Sequence, residues 1–114
     1  MAKTLCFLNI HFVFSTKNRQ ETIDESIKNR LWAYMGGVAK QNNMIPQAVG
    51  GTSNHVHLLL SLPPTISVAK AMQLIKTNSS KWLNEEYPYK KKFAWQSGYG
   101  AFSVGMGRLT QTIE

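Results

Sequence analysis

The order in which strand-like and helix-like patterns follow one another is the feature that most constrains the fold of this chain. A two-residue apolar period predicts β-strands over about residues 5–15, 44–49, 55–62 and 93–104. Helical spacing of apolar residues predicts helices over about residues 23–42 and from near Ser67 until Pro88 prevents continuation. A βαββαβ order predicts an α+β, ferredoxin-like (RRM-like) fold. Its antiparallel four-stranded sheet would carry both helices on one face, with the first and third strands adjacent at the centre.

Local signals support both helices. Thr22, with Glu25 three residues later, predicts a capping box at the start of the first helix. The apolar face of that helix would hold Ile23, Ile27, Leu31, Tyr34 or Met35, and Val38. The second helix would bury Val68, Met72, Ile75, Ser79, and Trp82 or Leu83.

Length and composition predict a single domain over residues 1–114, because 43% hydrophobic residues can supply one core in a chain of this size. Cys6 is the only cysteine, so no internal disulfide is expected, and a small buried apolar role is the simplest one. The opening residues are too short and too polar for a membrane span or a signal peptide. We therefore expect a cytoplasmic protein with no membrane partner.

The chain is strongly basic. Thirteen Lys and Arg against six Asp and Glu give a formal charge of +7, so a polyanion is the natural partner. Solubilising surface charge is the simpler interpretation, but the basic excess together with nearby aromatic residues favours nucleic acid.

Two histidines separated by one residue are the strongest functional signal. In a strand, Val56, Leu58 and Leu60 would point into the core while His55 and His57 project together from the other face, as a clamp for a divalent metal. His11, on the neighbouring central strand, could approach this pair. A catalytic ion needs further ligands, and no carboxylate is expected nearby. The simpler alternative is a pair of hydrogen-bonded polar residues on an exposed strand.

The sheet face opposite the helices would present the histidines between lysines, as a surface for a nucleic-acid strand. The aromatic signature of RNA-binding modules with this topology is absent from the third strand, where His-Val-His stands instead. This difference favours chemistry on a nucleic acid over passive binding.

Three blocks together resemble a known family. They are Ile10-His11-Phe12-Val13-Phe14-Ser15-Thr16-Lys17-Asn18-Arg19, Asn54-His55-Val56-His57-Leu58-Leu59 and Trp95-Gln96-Ser97-Gly98-Tyr99-Gly100-Ala101-Phe102-Ser103-Val104. The set looks like the signatures of the small single-tyrosine HUH transposases of bacterial and archaeal insertion sequences. HUH denotes histidine, bulky hydrophobe, histidine, and residues 55–57 satisfy it.

The resemblance implies DNA transposition by cleavage and strand transfer of single-stranded DNA with hairpin ends, carried out by a homodimer. It implies that His55 and His57 bind Mg²⁺ or Mn²⁺ and that a tyrosine forms a 5′-phosphotyrosine intermediate. For DNA binding, His11, Lys17, Arg19, Lys76 and Lys81 are the expected residues.

The sequence departs from the family pattern at the nucleophile. The family's tyrosine lies on a helix after the final strand, whereas the four tyrosines here are Tyr34, Tyr87, Tyr89 and Tyr99. None occupies that place, so we expect an incomplete tyrosine-bearing helix and a chain that retains mainly DNA and metal binding. The alternative is a non-catalytic ferredoxin-like module that binds nucleic acid or metal. A metallohydrolase of small phosphorylated substrates is a third possibility, which the scarcity of acids disfavours.

Overall fold

The computed structural model describes residues 8–105 and contains one four-stranded antiparallel sheet with two long helices. Its strands are β1 (Leu8–Ser15), β2 (Ile45–Gly51), β3 (His55–Leu62) and β4 (Gly100–Ser103). Its helices are α1 (Glu25–Gln41) and α2 (Val68–Glu86), and a short 3₁₀ turn, Lys17–Arg19, follows β1. The strand order β2-β3-β1-β4 places β1 and β3 at the centre, which confirms the predicted ferredoxin-like α+β fold.

The core lies between one face of the sheet and both helices. The sheet contributes alternate residues of the central strands, and each helix contributes one apolar stripe, because these faces lose the most apolar surface to water on packing. The largest fully buried side chains include Phe12, Leu31, Met35, Val56, Leu58, Leu60, Met72 and Ile75. The predicted helix faces are therefore confirmed except at Val68, which is only half-buried, and Met35 and Leu83 are the buried members of the two pairs left open by the sequence.

The first helix begins later than its sequence suggests. Asp24, rather than Thr22, is the N-cap, and its carboxylate accepts a hydrogen bond from the Ser26 backbone N–H at 3.0 Å. Ile23 precedes this cap, and its backbone N–H donates to the Ser53 carbonyl at 2.9 Å. Its side chain is nevertheless buried. Because the apolar pattern extends past the N-cap to Ile23, the sequence predicted that the helix begins there.

The last strand is much shorter than the predicted 93–104. Among the described residues of this region, Gly100–Ser103 forms the ladder with β1, and upstream of it Trp95 forms an isolated bridge with Thr16. Between these two points, Gly98 adopts a φ of 84°, which is not the extended conformation of a strand. Carbonyls of this segment accept from Lys76 on α2 instead of from a neighbouring strand.

The β2–β3 hairpin also differs from its expected boundaries. The strand β2 continues through Gly50 and Gly51, so the turn is confined to residues 52–54. A Cβ at Gly51 would overlap the His55 carbonyl oxygen and would lie 2.9 Å from the Val56 Cα. Glycine is therefore required here for the close approach of the two strands beside the first histidine.

The sheet face opposite the helices is open only in part. Leu59 on this face is 2% exposed, and Asn9 and Ser61 are also buried. The histidine end is the more accessible one. No helix within residues 8–105 has the length and apolar character to cross a membrane. Cys6 and the expected start of the first strand lie outside the described residues, as does the chain after Gly105.

We expect Leu58→Ala to lower the free energy of unfolding by about 2–5 kcal/mol, because Leu58 is fully buried between sheet and helices. The matched control is Leu8→Ala, since Leu8 begins a neighbouring strand but is 52% exposed, and it should cost about 0.5 kcal/mol. Urea unfolding followed by circular dichroism measures both. Equal losses for the two variants would contradict the full burial of Leu58 in the core.

Candidate functional site

The pairing of β1 with β3 brings all three histidines of the chain onto one sheet face. Val13 pairs with His57, and His11 pairs with Leu59, so His11 and His57 are diagonal neighbours. The ring centroids of His11 and His57 are 5.3 Å apart, and those of His55 and His57 are 5.1 Å apart. The predicted side-by-side display of His55 and His57, with His11 nearby, is therefore confirmed.

His57 is in direct contact with His11. His11 Nε2 and His57 Nδ1 lie 3.1 Å apart, which is hydrogen-bonding distance between one ring N–H and one ring lone pair. Burial lowers the pKa of His57, and the neighbouring His11 and His55 lower it further, although part of the side chain stays exposed. The ring is thus favoured as neutral imidazole, the form that binds metals.

His55 is anchored by the turn that precedes it. Its Nδ1 lies 2.8 Å from Thr52 Oγ1 and 3.0 Å from Asn54 Oδ1. The amide of Asn54 in turn donates to the Arg19 carbonyl at 3.4 Å. Sequence reasoning assigned Thr52 and Asn54 to the turn alone. Thr52 and Asn54 could have been identified from the sequence because their side-chain oxygens come shortly before His55, a candidate metal ligand.

The turn after β1 has an unusual backbone. Asn18 and Arg19 have φ values of 56° and 53°, in the left-handed region. The Asn18 backbone N–H donates to Gln96 Oε1 at 2.9 Å, which ties this turn to the segment before β4. Gln96 is a third residue that sequence reasoning did not single out.

A cleft of about 400 Å³ opens beside the histidines. Its lining combines the ends of β1 and β3, the turn at Arg19 and the segment before β4, and the residues are Val13, Phe14, Ser15, Arg19, Asn54, His55, His57, Ser97, Gly98 and Tyr99. Within residues 8–105, no carboxylate lines this cleft. An exposed aromatic side chain, Phe102, pairs with His11 across β1 and β4, with a ring-centroid distance of 6.4 Å.

The four predicted basic DNA contacts occupy different environments. Arg19 lines the cleft, and Lys17 is exposed in the same turn. Lys76 donates to the Gln96 and Gly98 carbonyls at 2.7 and 2.9 Å, and its partial burial lowers the pKa of its ammonium group. Lys81 is exposed on α2, 3.9 Å from Glu85. Lys76 therefore holds the 96–98 segment, and the structure brings only Arg19 to the cleft.

The tyrosines are also separated by the fold. Tyr34 stacks on Trp82, Tyr87 accepts a hydrogen bond from Arg30, and Tyr89 is 78% exposed near the end of α2. Tyr99 alone among the four lines the histidine cleft.

The donor chemistry of His55 and His57 fits a divalent ion. Both Nδ1 atoms contact protein groups, and no described residue hydrogen-bonds to either Nε2, which leaves two ring nitrogens for coordination. Residues 8–105 contain no group of three or more His, Cys, Asp or Glu side chains arranged to hold a metal. Further ligands would therefore come from water, a phosphate or residues beyond this set.

Comparison with known proteins identifies the family. The model of the family "Transposase IS200 like" matches residues 4–114, nearly the whole chain. This chain belongs to that family. Family membership supports DNA transposition and an origin in an insertion sequence.

Individual relatives agree with this assignment. The chain is 26% identical, over 110 residues, to the transposases for insertion sequence element IS200 of Salmonella typhimurium and Salmonella typhi, covering 92% of this chain and 72% of each relative. It is 25% identical to the ISDra2 transposase TnpA of Deinococcus radiodurans over 88 residues, covering 77% of this chain and 63% of that protein.

Solved structures share the fold. A crystal structure of a proposed transposase from Deinococcus radiodurans superposes with a TM-score of 0.81 at 21% identity, covering 98% of this chain and 92% of that one. A REP-associated tyrosine transposase bound to a REP hairpin superposes with a TM-score of 0.67 at 13% identity, covering 99% of this chain and 68% of that one.

We expect Lys76→Met to lower the free energy of unfolding by about 1–3 kcal/mol, because two carbonyls lose a charged donor. Lys81→Met, on the same helix, should change it by less than about 0.5 kcal/mol, since its ion pair is solvent-exposed. Urea unfolding measures both variants. A Lys76 variant as stable as the Lys81 variant would contradict the role of Lys76 in holding the 96–98 segment.

We expect His57 in the metal-free protein to titrate below 6.5, the ordinary histidine pKa. The unfolded chain then binds more protons than the folded chain as the pH falls below 6.5. The His57 contribution to stability is therefore complete above that pH and is lost as the pH falls through the folded pKa. NMR titration measures the pKa, and His57→Gln should flatten the acid side of the stability profile. Titration of His57 at or above 6.5 would contradict the combined effect of desolvation and of the two neighbouring imidazoles on its pKa.

Proposed function

We propose that this chain acts in DNA transposition by binding single-stranded DNA with hairpin ends across the histidine cleft, with Mg²⁺ or Mn²⁺ held by His55 and His57. The observation that carries the proposal is the pair of adjacent imidazoles whose Nδ1 atoms both contact protein groups beside an open cleft. When bound, a divalent ion would polarise a phosphate of the DNA and stabilise charge on its oxygens.

Charge and exposure support DNA as the partner. The formal charge of +7 favours a polyanion, and Arg19 is the cation best situated to contact a phosphate in the cleft. Phe102 offers an exposed ring beside His11 on which a base could stack. We also propose Lys17 as a contact, with Lys76 and Lys81 as secondary contacts because each already has a protein partner.

Hairpin recognition and a homodimer are part of the same proposal. The REP-associated transposase that shares this fold is bound to a REP hairpin. Its fold similarity makes a hairpin substrate the first one to test here. Sedimentation of the chain with and without a hairpin measures the stoichiometry, and a single chain per hairpin at all concentrations would contradict the homodimer.

The tyrosine positions support binding without covalent cleavage by this chain. Tyr34 and Tyr87 are engaged in packing at the helices, and Tyr99 precedes β4 rather than following it. We propose that the chain binds DNA and metal and does not itself form the 5′-phosphotyrosine link.

The metal part of the proposal is tested by calorimetric titration with Mn²⁺. The double variant His55→Ala, His57→Ala should lose detectable binding, because both ring ligands are removed. Lys70→Gln, an exposed change on α2, is the control and should bind as the parent does. Retained binding by the double variant would contradict the metal site and would favour the structural interpretation of the histidines.

The DNA part is tested with a labelled single-stranded hairpin in the presence of Mn²⁺. Binding without an SDS-resistant covalent adduct is expected, and Arg19→Gln should reduce the salt slope by about 0.7, the value for one lost single-strand phosphate contact. An unchanged slope would contradict the placement of DNA at Arg19. An adduct abolished by Tyr99→Phe would contradict the non-covalent role and identify Tyr99 as the nucleophile.

A further inference from the structure

We propose that Thr52, Asn54 and His11 are positioning residues that hold both metal-binding histidines in the Nδ1–H tautomer. This inference rests on the proposed function, in which His55 and His57 are ligands. A neutral imidazole has one N–H and one lone pair, so the partner of Nδ1 decides whether Nε2 can coordinate a cation.

For His55, the direction of each hydrogen bond follows from its neighbours. Thr52 Oγ1 donates its only hydrogen to Asn54 Oδ1 at 3.1 Å, so it can only accept from His55 Nδ1. Asn54 Oδ1 is a carbonyl oxygen and also only accepts. Two acceptors at 2.8 and 3.0 Å require a hydrogen on Nδ1, which leaves the lone pair on Nε2.

The orientation of the Asn54 amide is itself fixed. Its Nδ2 donates to the Arg19 carbonyl at 3.4 Å. A flipped amide would place Oδ1 against that carbonyl oxygen and would present an N–H group to the hydroxyl and ring that now share Oδ1. The carbonyl that accepts from Asn54 belongs to Arg19, whose backbone lies in the left-handed region.

For His57, one hydrogen must lie between two ring nitrogens 3.1 Å apart. If His11 Nε2 donated it, neutral His57 would carry its own hydrogen on Nε2 and could not coordinate through that atom. If His57 Nδ1 donates it, the His57 Nε2 lone pair is free. Coordination through Nε2 therefore requires His11 to accept at Nε2 and to carry its own hydrogen on Nδ1.

The two ligands are thus supported by different parts of the fold. The turn before β3 sets the tautomer of His55, and we assign to His11 on β1 the role of accepting the hydrogen of His57 Nδ1. No tautomer change is needed when the ion binds, so loss of either support should weaken binding without removing a ligand.

The direct test is long-range ¹H–¹⁵N NMR of the metal-free chain at a pH well above the ordinary histidine pKa of about 6.5. Nδ1 of both His55 and His57 should show the protonated shift, and Nε2 of both should show the lone-pair shift. A dominant Nε2–H form at either residue overturns the proposal. Because no metal is present, this outcome is separate from failure of the proposed metal site.

The second test compares variants. Asn54→Leu and His11→Leu should each shift the tautomer balance of their histidine and weaken Mn²⁺ binding by about 10–100-fold. His11→Gln, whose side-chain oxygen can accept in place of Nε2, should restore most of the affinity, and Lys70→Gln should leave it unchanged. Wild-type tautomers and affinity in both leucine variants would overturn the proposal. If the substitutions change the tautomers but the parent chain does not bind Mn²⁺, the proposed metal site fails and the positioning role of the three residues stands.

Discussion

The antiparallel pairing of β1 with β3 is the constraint on which the rest of the structure depends. Its register places Phe12 opposite Leu58 on the core face, where both are fully buried, and so forces the odd-numbered residues of both strands to the other face. A slip of one residue would bury His57 and expose Leu58. The same apolar burial that stabilises the sheet therefore holds three imidazoles together at its surface.

The site is supported from several distant segments that meet near the end of this strand pair. Lys76 fixes the carbonyls of the 96–98 segment, Gln96 accepts from Asn18, and the Arg19 carbonyl accepts from the Asn54 amide beside His55. Each contact joins a different element to the next. The histidine environment is thus a product of the tertiary fold, in which each of these supporting contacts joins a side chain of one segment to the backbone of another.

The sequence predicted the features that depend on periodicity. Alternation in β3 gave both its exact boundaries and the display of His55 and His57, and the βαββαβ order gave the central position of β1 and β3. Resemblance identified the family, which the family comparison confirms. These features could be predicted from the sequence because each depends on a local residue pattern or on the order of the strands and helices.

Features that depend on tertiary contacts could not be predicted from the sequence. Alternating residues before β4 resembled a strand, but the positive φ at Gly98 and the donors from Lys76 end the ladder there. The hydrogen bonds of Lys76 to the Gln96 and Gly98 carbonyls could not be predicted, because composition cannot show which carbonyls a side chain contacts. The hydrogen bonds of Thr52 and Asn54 to His55 likewise depend on the exact geometry of the turn.

Divalent-ion and DNA binding at His55 and His57 is tested most directly by anomalous diffraction from crystals of the chain grown with Mn²⁺ and a single-stranded DNA hairpin. We expect an anomalous peak within coordination distance of both His55 Nε2 and His57 Nε2, with a DNA phosphate oxygen among the remaining ligands. A peak elsewhere, coordination through Nδ1, or two histidines that bind neither ion nor DNA would contradict this expectation.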